Sequence, residues 1–219
     1  METTKKITVF GVIPEGINIG LKNSASLLGA IVLYILTIWV PYLNVGTTIA
    51  MSTIPIELAK GKIISPTFIF NARYRRLMGE YFLLTGFMSM ALSSAFIFFI
   101  IPGIVLSIAW TLAMYILLDK EVGPIQALRE SNKATYGYKW TIFGTRFIIG
   151  LAAGIVATLL SLIPYIGVIF VLVLAVLAIA TNIGCETVIY KNLVLDTNEN
   201  VENKETLNNV ISEEGETKK

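Results

Sequence analysis

Six long apolar runs dominate residues 24–185, and none carries an Asp, Glu, Lys or Arg near its middle. They cover residues 24–40, 42–59, 81–101, 103–118, 140–163 and 165–185. Crossing about 30 Å of hydrocarbon takes roughly 20 helical residues, so most of these runs are long enough to span, although 103–118 is short. Hydrocarbon offers backbone amides no water, so a spanning run must satisfy them within a helix. The expected fold class is an all-α integral membrane protein with six transmembrane helices. Composition agrees: 55% of residues are hydrophobic and 15% charged, where soluble domains carry about 25% charged residues.

The 17 Lys and Arg residues fall before the first run, after the even-numbered runs, or close to those ends. The turns around Pro41, Pro102 and Pro164 hold none. The positive-inside rule then puts both termini and the charged loops in the cytoplasm of a prokaryotic cell, with the proline turns outside its inner membrane. Lys5 and Lys6 lead into no signal-peptide pattern, so the first run is expected to act as its own targeting signal. Gly11, Pro14, Gly16 and Gly20 predict a surface-lying turn or short amphipathic segment over residues 7–23 rather than a long helix. The expected organisation is a cytoplasmic segment at 1–23, a six-helix membrane domain at 24–192 and an acidic, disordered cytoplasmic tail at 193–219, with a short helix near 204–211.

Two periods coincide. Pro41, Pro102 and Pro164 recur 61 and 62 residues apart, and Gly29, Gly86 and Gly144 recur 57 and 58 apart. Each proline sits where a second helix would begin, and there its missing N–H costs nothing. The pattern predicts three copies of one unit, a cytoplasmic surface segment followed by a helical hairpin, in a pseudo-threefold arrangement. Residues 119–144 would be the third surface segment, a helix lying on the membrane before the chain re-enters it.

The chemistry available is narrow. With no His and only Cys185, the chain has no zinc ligand set, no Cys–His pair and no internal disulfide. Neither a catalytic residue nor a cofactor or metal site is expected, and no basic patch stands apart from the membrane flanks to bind nucleic acid. Arg146 and Glu186 lie furthest inside their runs and are the candidate inner-interface ion pair. Arg73, Arg75, Arg76, Arg129, Lys133 and Lys139, with Trp140 beside them, are candidate contacts for anionic lipid headgroups or a protein partner. Setting the orientation of the chain would account for the same charges.

Small polar residues recur at helical spacing, notably Asn44, Thr48 and Ser52 and then Ser107 and Thr111. Close helix packing explains such stripes, as it does Gly150 and Gly154. Facing one another, the same side chains would line a polar path. The run at 42–59 is the most polar, with Thr47, Thr53 and Pro55 as well, and needs neighbouring helices to cover it.

Pro102, Gly103, Asp119, Ala127, Leu128, Ser131, Gly137, Phe143, Pro164, Tyr165 and Tyr190 carry a family likeness. In them the chain resembles a large family of uncharacterised prokaryotic six-span proteins related to the glycerophosphoryl diester phosphodiesterase membrane domain. The likeness spans residues 86–192 and is best over 101–144. It implies a membrane domain without catalysis, because fused family members owe their activity to a separate soluble domain that this sequence does not show. The function expected is a non-enzymatic accessory, scaffold or lipid-interacting protein, with membrane lipids and other membrane proteins as partners. A transporter or channel using the polar path is the alternative.

Overall fold

The computed structural model describes residues 7–163 and 167–197. All regular structure among these residues is helical. The order is α1 (Val9–Lys22), α2 (Ser24–Thr37), α3 (Leu43–Ser52), α4 (Ile54–Ala59), a 3-10 turn (Pro66–Phe70), α5 (Arg73–Arg76) and α6 (Met78–Phe98). It continues through α7 (Ile100–Ala109), α8 (Ala113–Lys120), α9 (Pro124–Ala134), α10 (Lys139–Ser161) and α11 (Gly167–Tyr190), which a π turn, Lys191–Leu195, extends. Pro164, Tyr165, Lys5, Lys6 and the expected tail helix lie outside the described residues.

Four stretches are long and apolar enough to cross a membrane: Met78–Phe98, Ile100–Lys120, Lys139–Ser161 and Phe170–Leu195. A fifth results if α1 and α2, bent by 69° at Asn23, act together. Much of the apolar surface faces outward. At the α6–α7 turn Ile97, Phe98 and Ile101 are each at least 75% exposed, and Leu151, Ile155 and Leu159 form an exposed face on α10. Apolar patches of this kind suit hydrocarbon rather than water.

The buried core gathers at the opposite, charged end, where Leu112, just before α8, and Ile116 and Leu117 of α8 meet Val188 and Ile189 of α11 and Ile142 of α10.

Of the two forms expected for residues 7–23, a surface-lying turn or a short amphipathic segment, the structure shows the second, docked by one face. These residues form the 14-residue helix α1, packed along α11. Two of the glycines read as helix breakers, Gly16 and Gly20, are the contact surface. A Cβ on Gly20 would overlap the Ala180 carbonyl, and one on Gly184 would overlap the carbonyl of Gly16. Small residues four apart let two helix backbones touch, and that close packing outweighs the intrinsic helix penalty of glycine. Gly150 and Gly154 show the reverse. Read from the sequence as a close-packing pair, they meet no described neighbour within 4 Å.

The run at 42–59 is two helices rather than one. It breaks at Thr53, whose hydroxyl and N–H both bond the Ala50 carbonyl, at 2.7 and 2.9 Å. Pro55, without an N–H, follows in the first turn of α4. Neighbours do cover its polar groups: the buried hydroxyls of Thr37 and Thr47 lie 2.9 Å apart.

The run at 103–118 also breaks, between α7 and α8, and α9 repairs it. Ser131 donates a 2.7 Å hydrogen bond to the Ala109 carbonyl and accepts one of 3.2 Å from the Leu112 N–H. Thr135 also donates to the Ala109 carbonyl, at 3.3 Å, so the Leu112 N–H is the group that would be unpaired without Ser131, at a cost of about 1–3 kcal/mol. The apolar face of α9, Ala127 and Leu128, packs beneath α8. Gly137, at φ +84°, then turns the chain into α10, a conformation that a side chain would strain.

Candidate functional site

The ends of three helices, α4, α8 and α11, converge at the charged end of the bundle. Asp119, at the last turn of α8, uses both carboxylate oxygens there: Oδ1 meets the Lys60 ammonium at the end of α4, and Oδ2 accepts a 2.6 Å hydrogen bond from the hydroxyl of Tyr190. The side chain of Asp119 is only 9% exposed, and Tyr190 is fully buried with Tyr115 edge-on to its ring. Cations near helix C-termini also meet the negative end of the helix dipole, which favours Lys60 and Lys120 where they stand.

Further ion pairs extend this junction. Arg73 Nη2 bonds Glu121 at 3.0 Å, and Lys120 Nζ bonds Glu130 at 2.9 Å. Gln126 donates to the other Glu130 oxygen at 2.8 Å. Partial burial pushes the Glu130 carboxyl up, but the bonds from Gln126 and Lys120 outweigh it and hold the group below the usual glutamate range. Beside the junction, the hydrogen bond from Lys62 to Glu57, 2.7 Å long, holds the Lys62 ammonium above its ordinary value.

The candidate pair Arg146 and Glu186 is formed. Arg146 donates from Nε at 2.9 Å and from Nη2 at 2.5 Å, both to Oε1 of Glu186. Glu186 is buried, and its Oε2 has no hydrogen-bond partner among the described residues. A polar atom left so in an apolar setting is unfavourable, and the paired guanidinium is what permits the carboxylate to sit there.

The remaining candidate cations are distributed differently. Arg73 is spent on Glu121, whereas Arg75, Arg76, Arg129, Lys133 and Lys139 have no carboxylate within 4 Å among the described residues. Arg75 lays its stem on Gly46, and Lys139 reaches only the Asn132 side chain, at 3.4 Å. Arg76, Arg129 and Lys133 are exposed, and Trp140 is 85% exposed at the start of α10 beside Phe143. Such an edge of rings and unpaired cations matches the headgroup level of a bilayer.

The candidate polar path is not assembled in this way. Thr48 and Ser52 donate to the carbonyls of Asn44 and Thr48, and Ser107 and Thr111 to those of Ile104 and Ser107, at 2.8–3.1 Å. Asn44 donates to the Ile38 carbonyl at 3.1 Å. The two stripes also belong to different neighbourhoods. α3 packs mainly on α2, the 3-10 turn and α5, while α7 packs mainly on α6 and α10.

The sequence singles out Asp119 and Tyr190 separately but does not join them to each other or to Lys60. The available signal is positional, since each lies just past an even-numbered run. No family model, curated protein or solved structure matches the chain.

Proposed function

We propose that this chain is a non-enzymatic membrane protein of the prokaryotic inner membrane whose basic cytoplasmic face holds anionic lipid headgroups, in an accessory or scaffolding role. In this reading it spans the membrane six times as three hairpins, with both termini cytoplasmic. The broken pairs α3/α4 and α7/α8 each count as one span because the polar groups at their breaks are bonded internally.

The observation that carries the proposal is the imbalance at the charged end. The carboxylates of Asp119, Glu57, Glu121, Glu130 and Glu186 are held in ion pairs with Lys60, Lys62, Arg73, Lys120 and Arg146, while Glu15, Glu80 and Asp196 have no cation within 4 Å among the described residues. Arg75, Arg76, Arg129, Lys133 and Lys139 are left to face the headgroups, each contributing about 1 kcal/mol at an anionic surface. A solute path is the weaker reading because the hydroxyls that would line it are bonded to their own helices. The test compares lipids retained by the purified protein with those retained after Arg75, Arg76, Arg129, Lys133 and Lys139 are all changed to Gln. Selective loss of anionic lipid supports the proposal, and an unchanged lipid profile refutes it.

A further inference from the structure

We propose that the groove between α8, α9 and the π turn seats the headgroup of one anionic glycerophospholipid, with its phosphate on Lys133. This rests on the basic face being lipid-facing and narrows it to a site. The groove encloses about 400 Å³ and is lined by Ile116 and Lys120 of α8, Glu130 and Lys133 of α9, and Leu193 and Val194 of the π turn. That volume is within the range of ligand pockets, roughly 300–1,000 Å³.

Charge selects the occupant. Two lysines stand on the rim against one carboxylate, and both oxygens of that carboxylate are engaged, one by Lys120 and one by Gln126. Lys133 is therefore left exposed with no described carboxylate partner. The floor is apolar, formed by the buried side chains of Ile116, Leu193 and Val194. A charged rim above an apolar floor matches a phosphodiester joined to glycerol and the first methylenes of an acyl chain, and it does not match a free, fully hydrated phosphate. Two of the three floor residues, Leu193 and Val194, sit on the π turn at Lys191–Leu195. Such wide turns are rare and frequently mark functional sites.

The test places a benzophenone amino acid at Thr197, which is exposed on the groove wall, in the full chain. The protein is reconstituted in vesicles of equal phosphatidylglycerol and phosphatidylcholine, irradiated and weighed intact. An adduct of one phosphatidylglycerol is expected, reduced about fivefold in Lys133→Gln, restored in Lys133→Arg and unchanged in Lys22→Gln, an exposed lysine outside the groove. An adduct that ignores lipid charge or Lys133 overturns the proposal. So does a crosslink to residues 198–219 or to a second copy, which would name a different occupant. If no adduct forms while the purified protein still retains phosphatidylglycerol through its other basic residues, the groove is wrong and the lipid-facing surface stands. Absence of any anionic preference removes both.

Discussion

Tyr190 donates its hydroxyl proton to Asp119 across 2.6 Å, joining the end of α11 to the end of α8 at the point where Lys60 arrives from α4. Three chain segments separated by 59 and 71 residues are thereby tied at one carboxylate. Tyr190→Phe removes a hydrogen bond to a charged group and is expected to destabilise the protein by about 1.5–3 kcal/mol. Asp119→Ala should be worse, because it leaves a buried phenol unpaired. Thermal unfolding in detergent measures both. The double variant should fall well short of the sum, since the two substitutions remove one shared interaction.

The closeness of α1 and α11 gives a paired prediction. Gly20→Val puts a side chain where the Ala180 carbonyl lies and should sharply reduce the folded fraction recovered in detergent. Gly150→Val, on the open face of α10, should leave that fraction almost unchanged. Equal effects would show that α1 is not docked on α11 as described.

Arg146 and Glu186 form an asymmetric pair, since Glu186 is 6% exposed at its side chain and Arg146 is 41% exposed. Removing the partner of a buried charge is typically destabilising by about 3–5 kcal/mol, and the solvent access of Arg146 places this pair toward the lower end. Arg146→Gln should therefore unfold at a lower temperature than Glu186→Gln, and the double variant should recover part of the loss.

Glu130 sets an acid limit on the docking of α9. Its folded-state carboxyl is held below the ordinary value of 4.5, so its contribution is complete above that value and is lost as pH falls through the lower folded-state value. Unfolding followed from pH 6 downward should show an acid limb that flattens in Glu130→Gln. An unchanged limb would place the acid sensitivity elsewhere.

Orientation is checked with single cysteines in a Cys185→Ala background. Positions 42 and 101, exposed at two turns, should react with an impermeant maleimide in intact cells, while position 132, exposed on α9, should react only after lysis. The reverse pattern would place the basic face outside.

What was legible in the sequence follows physical lines. Helical structure, the apolar runs and the pairing of Arg146 with Glu186 could be read because a charge at the edge of an apolar run demands a partner, and these two lie at the facing edges of consecutive paired runs. The α1–α11 contact could not, because Gly16 and Gly20 look alike as helix breakers and as contact surfaces until the partner helix is known. Ser131 drew notice as part of a motif, but its service to the broken α7–α8 joint depends on a fold-back of about 20 residues that no local pattern records. The breaks at Thr53 and at residues 110–112 were hidden for a similar reason, as hydropathy does not distinguish a continuous helix from one interrupted inside protein.

The most direct test of the lipid-binding role is one preparation of the full chain in mild detergent, divided between native mass spectrometry of its bound lipids and a solute-flux assay in liposomes. Retained anionic lipid, with flux no greater than in protein-free vesicles, is the expected result. Solute flux above that background from protein that retains no anionic lipid would contradict it.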